Sequence, residues 1–354
     1  MPKTGVVAIL LMILVSAVRA EVPRMEAESE VVRTMPEPWR TLKDNLTVPS
    51  SSTVVLDPSG RSGTFRVTAG SSGNMVLHVA FSADGHWLIA GRFRGQLDVW
   101  DTQTWIKVGT LRGDSSRVTA VAMSPEGELA AVGGDEKTVK ILEIPSGKQV
   151  AKLPKCNDYP DDLVFSPDGH FLAVLVNGGP DFAYDLRKHK VAKEFPANGA
   201  AFLTSEQVFL TALTEKLTLW DAQSWTATRE LRDPGAHIHR IALDEERHRV
   251  VAGALEGPTK VWDLSSGTAA VVIDAGFIAN LFVTQDGRHV ITAGDGFIRM
   301  WSAESGEIEC TSPKLKLHGL SFSRDRRWMA AGVDDGIEVW SAEDVMRACA
   351  GASD

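Results

Sequence analysis

The sequence predicts an all-β protein in which seven repeats of about 40 residues form one closed ring. A polar turn recurs every 42 residues, as Ser-Ala-Asp-Gly at 82–85, Ser-Pro-Glu-Gly at 124–127 and Ser-Pro-Asp-Gly at 166–169. Apolar residues alternate with a period of two on both sides of these turns, which is typical of strands. A large residue followed by a short polar one then ends a third strand. These pairs are Trp100-Asp101, Leu142-Glu143, Tyr184-Asp185, Trp220-Asp221, Trp262-Asp263, Trp301-Ser302 and Trp340-Ser341.

The spacing of these pairs counts the repeats. They lie 42, 42, 36, 42, 39 and 39 residues apart, which leaves room for four short strands in each unit. Units of this length are expected of propeller blades. The predicted fold is therefore a single seven-bladed β-propeller of four-stranded antiparallel blades over residues 64–345. The period of two excludes a helical solenoid.

Residues 1–20 predict a secretory signal peptide. Lys3 precedes an apolar run over residues 6–18, and Val18-Arg19-Ala20 places small or apolar residues where a signal peptidase reads them. The alternative is an uncleaved anchor, but a membrane span needs about 20 apolar residues. We therefore expect an exported protein, periplasmic or secreted, with no membrane span after cleavage.

The next segment, residues 21–63, predicts a linker or a loosely docked arm because it contains scattered prolines, a triple serine and no sustained periodicity. Residues 64–68 read as a strand that resembles the outer strand at 106–110. Since the last repeat lacks a convincing fourth strand after Trp340, we expect residues 64–68 to complete the seventh blade. Residues 346–354 are then a C-terminal tail.

The charge and the cysteine content limit which ligands and which disulfides the sequence can support. With 37 Lys+Arg against 46 Asp+Glu, the net charge of −9 gives no global attraction to nucleic acid or anionic lipid. The three cysteines, Cys156, Cys310 and Cys349, can form at most one intramolecular disulfide. Cys310 with Cys349 is one candidate pair, and three buried or idle thiols are the alternative.

The turns and the Trp-Asp endings resemble the WD-repeat β-propeller family over residues 64–345. The family pattern also has a Gly-His pair before the first strand of each blade, and no His occupies that position here. The corresponding pairs are Ser71-Ser72, Gly113-Asp114, Lys155-Cys156, Asp233-Pro234 and Ser312-Pro313. The resemblance therefore implies that the buried His-Ser/Thr-Asp-Trp hydrogen-bond network of the family is lost, except for turn aspartates at 135, 295 and 335. Blade stability should then depend more on apolar packing.

Trp105 and Trp225, in turns on the opposite face, are expected to pack beneath their blades.

No catalytic constellation is present in the sequence. It lacks a Gly-x-Ser-x-Gly elbow, a His-Glu-x-x-His pair, a phosphate loop and an EF-hand, so we predict no catalytic residue, metal or cofactor. His237-x-His239 on a strand is the nearest approach to a metal-ligand pair. The acidic stretch at 157–162 is the nearest approach to a calcium loop. Solvated side chains are the favoured interpretation of both.

Family resemblance implies that partners dock on the face formed by the loops from each fourth strand to the next blade and from second to third strands. The candidate residues there are Arg92, Phe93, Arg94, Arg117, Tyr159, His237, His239 and Phe277. Arg and aromatic residues commonly dominate binding energy, which favours the segment 92–94. An ordinary turn whose Phe packs on the next blade is the alternative.

The predicted function is a non-catalytic scaffold that binds a protein or peptide outside the cytoplasm. The alternative is an exported propeller enzyme, a lactonase-like hydrolase or quinoprotein-like dehydrogenase, with a metal or cofactor over the channel.

Overall fold

A computed structural model describes residues 75–341 except 204–207, 233–236, 256, 285, 313, 315, 324–327 and 335, together with the backbone of 54–56 and 65–68. The described residues form antiparallel strands and one 3-10 turn, and their sheets follow one another along the chain. The predicted all-β, seven-bladed propeller is confirmed.

Two short strands precede the first complete blade, β1 (Val54–Leu56) and β2 (Phe65–Thr68). Blade 1 contains β3 (Val76–Phe81), β4 (Trp87–Arg92), β5 (Gln96–Asp101) and β6 (Ile106–Arg112). Blade 2 contains β7 (Val118–Met123), β8 (Leu129–Gly134), β9 (Val139–Glu143) and β10 (Gln149–Lys152). Blade 3 contains β11 (Pro160–Phe165), β12 (Phe171–Val176), β13 (Asp181–Asp185) and β14 (Lys190–Phe195).

Blade 4 contains β15 (Gly199–Leu203), β16 (Val208–Leu213), β17 (Lys216–Asp221) and β18 (Thr226–Arg232). Blade 5 contains β19 (Ile238–Asp244), the 3-10 turn Glu245–Arg247, β20 (Arg249–Ala254), β21 (Thr259–Asp263) and β22 (Thr268–Ile273). Blade 6 contains β23 (Asn280–Val283), β24 (His289–Gly294), β25 (Phe297–Ser302) and β26 (Ile308–Thr311). Blade 7 contains β27 (Leu320–Phe322), β28 (Trp328–Val333) and β29 (Gly336–Ser341), completed by β2 and β1.

The repeated polar turn connects the first two strands of a blade. In blade 1, Ser82 Oγ donates to Asp84 Oδ1, and the Gly85 N–H donates to Ser82 O at 2.9 Å. Gly85 has φ +72°, a left-handed conformation that glycine adopts without steric cost. These bonds explain why the same four-residue pattern recurs in the sequence.

Ring closure occurs as predicted. β2 pairs with β29 in antiparallel register, with Phe65 opposite Val339 and Thr68 opposite Gly336. β1 lies within the predicted linker at 21–63 but pairs with β2, which gives blade 7 a fifth, outermost strand. A three-residue apolar run is too short for periodicity to identify as a strand, which explains the difference.

The apolar core lies between blades. Buried residues in the described part of the chain form seven clusters, each shared by two adjacent blades. The cluster between blades 7 and 1 brings Trp100 against Ile337 and Val339, so the first and last blades are packed together like any other pair. Trp105 and Trp225 are buried, as predicted: Trp105 packs edge-on against Trp328 at 5.4 Å.

The predicted loss of the family hydrogen-bond network is wrong in part. Trp220 Nε1 donates to Thr211 Oγ1 at 2.9 Å in blade 4, and Trp301 Nε1 donates to Thr292 Oγ1 at 2.9 Å in blade 6. These bonds survive because they join adjacent strands of one blade and do not need the missing His. At a former Gly-His position, buried Asp114 accepts hydrogen bonds from the Ser116 and Glu136 backbones, so a carboxylate secures that loop.

The cysteines differ in state. Cys156 is a buried free thiol, and burial raises its pKa to about 11. Cys310 is disulfide-bonded. Its predicted partner, Cys349, lies outside the described residues, as do the predicted signal peptide and Asp335. In the described part of the chain, no helix has the length and apolar character needed to cross a membrane.

Candidate partner-binding face

One end of the propeller carries the loops that run from each fourth strand to the next blade and from each second strand to the third. We call this end the loop face. The predicted segment 92–94 lies at the β4–β5 connection, Arg117 and Tyr159 precede β7 and β11, and Phe277 precedes β23. His237 and His239 lie at the start of β19. All eight predicted residues therefore belong to this face by topology.

Arg92 is not available to a partner. Its side chain is only 1% exposed, and its Nε lies 2.7 Å from Asp98 Oδ2 in β5. The Lys107 ammonium adds a second cation 3.6 Å from Asp98 Oδ1. A buried carboxylate needs such partners because burying an unpaired charge is costly. The sequence pattern did not indicate that Arg92 is buried, because nothing in it identifies Asp98 as a buried partner.

Two aromatic side chains on the loop face are exposed. Phe93 and Phe277 retain 45% and 42% of their accessible surface, and Leu255, in the β20–β21 connection, retains 44%. Leu255 adjoins a predicted residue, since its N–H donates to His237 O at 2.8 Å. The sequence did not indicate Leu255, because a single apolar residue in a turn gives no pattern.

Arg117 and Tyr159 are brought together. The Arg117 guanidinium carbon lies 5.2 Å from the centre of the Tyr159 ring, a cation–π distance. The same guanidinium is held on its other side by Asp135, with Nη2 3.0 Å from Oδ1. The three loops that carry Arg117, Asp135 and Tyr159 thus hold one guanidinium in place against one aromatic ring.

The mouth of the central channel is shaped by irregular inner strands. Register shifts occur near the start of β3, β7, β11 and β19, at Val76/His78, Val118/Ala120, Pro160/Asp162 and Ile238/Arg240. A bulge inserts an extra residue and re-aims neighbouring side chains. The residues at these shifts include His78, Asp161, Asp162, His239 and Arg240, which the strand pattern alone did not identify as neighbours.

Arg240 reaches across the channel mouth from blade 5. Its Nη2 lies 3.8 Å from Asp161 Oδ2 of blade 3, and its Nε donates to Ala279 O of the next blade at 3.1 Å. Blade 4, between them, begins its inner strand with Gly199, where an added Cβ would lie 3.3 Å from His239 O. The small residue of blade 4 therefore leaves space for contact between blades 3 and 5.

Burial shifts the pKa values of titratable side chains at the mouth of the channel. It lowers the pKa of His78 to about 4, with Arg240, Arg117 and His318 adding to the effect and Asp161 opposing it. Burial also lowers the pKa of His239, helped by Arg240, and raises the pKa of Asp162. At neutral pH the imidazoles of His78 and His239 are therefore neutral and lie beside the Arg240 guanidinium, a surface suited to hydrogen bonding.

The sequence's metal-ligand candidates face protein cations or solvent. Asp158 of the acidic stretch pairs with Lys137 at 3.0 Å, and Asp161 faces Arg240. His237 is exposed, whereas His239 is half-buried beside the register shift of β19. Within the described residues, no group of three or more His, Cys, Asp or Glu side chains is arranged to hold a metal ion.

Comparison with known proteins agrees with the propeller fold. Residues 62–101, 105–142 and 275–302 match the family model of the WD domain, G-beta repeat. An uncharacterized WD repeat-containing protein of Synechocystis sp. is 35% identical over 97 residues, which is 27% of this chain and 28% of that protein. The p21-activated protein kinase-interacting protein 1-like of Danio rerio is 25% identical over 187 residues, 50% of each chain. Periodic tryptophan protein 2 of Arabidopsis thaliana is 30% identical over 116 residues, 32% of this chain and 13% of that protein. The chain thus spans half or less of the length of these relatives.

Proposed function

We propose, from the premise that this chain is a seven-bladed WD-repeat β-propeller, that it is a protein-binding scaffold that uses its loop face outside the cytoplasm. The observation that carries the proposal is the exposure of Phe93 and Phe277 on a face that also holds the Arg117–Tyr159 pair. Aromatic and Arg side chains on rigid loops are the groups that most often dominate protein interfaces.

The relatives support binding as the class of activity. WD-repeat propellers typically act as non-enzymatic scaffolds, and the Danio rerio relative is named for its interaction with a protein kinase. That name describes that protein. We take from it only that a propeller of this kind can serve to bind another protein.

Two features support action outside the cytoplasm. Residues 1–20 have the charged start, apolar run and small-residue end of a signal peptide. Cys310 is disulfide-bonded, and disulfides form and persist mainly in oxidising compartments. Fractionation of the native source would test this: the chain should be found in the periplasm or medium, and recovery with cytoplasmic markers would contradict export.

The binding proposal is tested by capture of partners from the native envelope or secretome. The bait is the chain without residues 1–20, compared with its Phe93→Ala/Phe277→Ala variant. A matched control is Val272→Ala, because Val272 is 57% exposed but lies on outer strand β22, away from the loop face. We expect the double variant to lose the captured protein, with affinity reduced at least about tenfold, and the control to retain it.

Two outcomes would contradict the proposal. Equal capture by all three baits would remove the loop face as the docking surface. A metal ion or cofactor bound tightly and stoichiometrically to the purified chain would instead favour the propeller-enzyme alternative. Metal analysis of the purified protein therefore accompanies the capture experiment.

A further inference from the structure

The connection between the third and fourth strands of blade 3 carries four consecutive basic side chains. Arg187, Lys188, His189 and Lys190 follow shortly after Asp185, the last residue of β13, and all four are exposed. We call residues 187–190 the basic turn. It lies at the end of the propeller opposite the loop face, because that end carries the connections from first to second and from third to fourth strands. Its positive charge contrasts with the net charge of −9 of the whole chain.

A buried carboxylate holds the backbone of the basic turn. Asp185 is 4% exposed, and its Oδ1 accepts from the N–H groups of Arg187 at 3.0 Å and Lys188 at 2.8 Å. Its Oδ2 lies 3.2 Å from the Lys188 ammonium. The Leu186 N–H donates to His170 O at 2.9 Å, which joins the turn to the β11–β12 connection. The turn is therefore ordered before any partner binds, which reduces the entropic cost of binding.

The backbone conformation of His189 sets the basic turn apart from its counterparts. In the six blades whose β-strand connection of this type is described, the residue before the fourth strand has a positive φ, between +51° and +78°. These residues are Trp105, Gly147, His189, Trp225, Gly267 and Gly306. Glycine adopts this conformation without steric cost, and both tryptophans are buried. His189 has a Cβ and is exposed, so neither reason applies to it. A side chain kept in a disfavoured conformation without packing indicates a role outside the fold.

The charges of the basic turn belong to blade 3 and not to the fold. At the position of Arg187, two residues after the end of the third strand, the other five blades of this set have Gln103, Pro145, Gln223, Ser265 and Glu304. Lys188 is paired with Asp185, but Arg187, His189 and Lys190 form no ion pair among the described residues. Three basic groups are therefore presented to solvent without an internal acid.

The acids around the basic turn limit the kind of anion that fits it. Glu126 of blade 2 reaches the β11–β12 connection, where an added Cβ on Gly169 would lie 3.1 Å from its Oε2. Glu304 and Glu307 are exposed in the matching connection of blade 6, at the same end of the ring. Charges act over only about 8 Å at physiological salt. A flat anionic membrane or a long nucleic acid would meet these acids as well as the basic turn, whereas a short segment meets the turn alone.

We propose that the basic turn docks a short acidic segment of a protein partner. Its aspartate or glutamate carboxylates would pair with Arg187 and Lys190 and accept a hydrogen bond from the His189 imidazole. Consecutive side chains of a turn leave the backbone in different directions, so several carboxylates spaced along a peptide match them better than one compact anion. The inference goes beyond the proposed loop-face function, because it assigns a second docking surface at the other end of the propeller.

The test uses fluorescein-labelled hexaglutamate as the probe and hexaglutamine as its uncharged analogue. Fluorescence anisotropy measures their binding to the purified chain. We expect hexaglutamate to bind saturably, at least about tenfold more tightly than hexaglutamine, and to weaken as salt rises from about 20 mM to about 300 mM. Equal binding of both peptides, no binding at millimolar peptide, or an affinity independent of salt would overturn the proposal. Tighter binding of phosphatidylglycerol vesicles or duplex DNA would overturn the assignment to an acidic peptide.

Charge variants localise the surface. Arg187→Gln/Lys190→Gln should weaken hexaglutamate binding about fivefold or more. The matched control is Lys148→Gln/Arg288→Gln, which also removes one lysine and one arginine that are exposed at the same end of the propeller but outside the basic turn. It should change the affinity by less than about twofold. Equal effects of the two double variants would contradict the site.

A glycine at position 189 separates binding from folding. His189→Gly should raise the melting temperature, because glycine adopts the positive φ without cost, and should weaken hexaglutamate binding about two- to fivefold through loss of the imidazole donor. A lower melting temperature, or unchanged binding, would overturn the role of His189. These titrations use neither Phe93 nor Phe277, so their outcome is independent of the loop-face capture experiment.

Discussion

The indole N–H of Trp301 in β25 donates a 2.9 Å hydrogen bond to the hydroxyl of Thr292 in β24, and both side chains are buried. Blade 4 contains the same bond between Trp220 and Thr211. Blade 5 also has the tryptophan, as Trp262, but it has Ala252 at the threonine position. Val250 pairs with Trp262 as Val290 pairs with Trp301, so Ala252 corresponds to Thr292. The buried Trp262 indole N–H has no acceptor among the described residues. Blades 4, 5 and 6 therefore differ in a polar contact that their shared third-strand tryptophan does not reveal.

Removal of the blade 6 acceptor should destabilise the protein. Thr292→Val keeps the side-chain shape but leaves the Trp301 N–H buried without a partner, which costs about 1–3 kcal/mol of the free energy of unfolding. Urea denaturation measures the loss. In a Trp301→Phe background the same substitution should cost little, and an undiminished loss there would show that the hydrogen bond is not its cause.

The reverse change should stabilise blade 5. Ala252→Ser would supply an acceptor to the Trp262 indole and should raise the free energy of unfolding by about 0.5–1.5 kcal/mol. Ala131→Ser is the control: Ala131 is equally buried but faces Ile141, so its new hydroxyl lacks an indole donor and should destabilise. A loss at both positions would show that the space at 252 does not admit the hydroxyl in a bonding position.

The fold could be predicted from the sequence because its determinants are local and repeated. The Asp84 turn and the Trp100 position recur at blade-sized intervals, and each recurrence reports strand boundaries independently. Closure by residues 64–68 followed from the missing last strand. β1 could not be predicted, because its three residues pair only through the context that β2 provides.

The candidate site was less predictable, because burial and cross-ring contacts are not local. Arg92, adjacent to exposed Phe93, is buried by its pair with Asp98, six residues away. Arg240 meets Asp161 only because the ring places blades 3 and 5 on either side of a small blade 4 residue. A sequence pattern indicates which residue types occupy the loops, but not which of them face one another.

Arg92 and Phe93 should therefore respond differently to substitution. Arg92→Met leaves the Asp98 carboxylate buried beside the Lys107 ammonium and the Thr110 hydroxyl but without its guanidinium, and breaking such a pair costs about 3–5 kcal/mol of stability. Phe93→Ala removes an exposed ring and should change the free energy of unfolding by less than about 1 kcal/mol. Denaturation of the two variants checks this. Similar stability losses would contradict the separation of structural from surface roles within this segment.

Removal of the closing strand should lower the melting temperature. A chain that begins after residue 68 lacks β2, leaves β29 without its outer partner and opens the blade 7 sheet, so Tm should fall by several degrees. A chain that begins at residue 51 retains both strands and should melt like the chain that begins at residue 21. Calorimetry of the three chains gives the comparison, and equal melting temperatures would show that β2 does not contribute to ring stability.

Stability should fall in mild acid because of His78. Its pKa is about 4 in the folded protein against 6.5 ordinarily, so between these values the unfolded chain binds a proton that the folded chain does not. Falling pH through this window therefore favours unfolding, by at most about 3 kcal/mol and less in proportion to solvent screening at the channel mouth. His239 acts in the same direction, whereas Asp162 and Asp181, whose pKa values are raised above 3.8, oppose it as the pH falls toward 3.8. The stabilising contribution is complete above about pH 6.5 and is lost as the pH falls toward 4. His78→Gln should flatten this part of the profile in denaturation measured from pH 4 to 7, and an unchanged slope would assign the acid sensitivity to other groups.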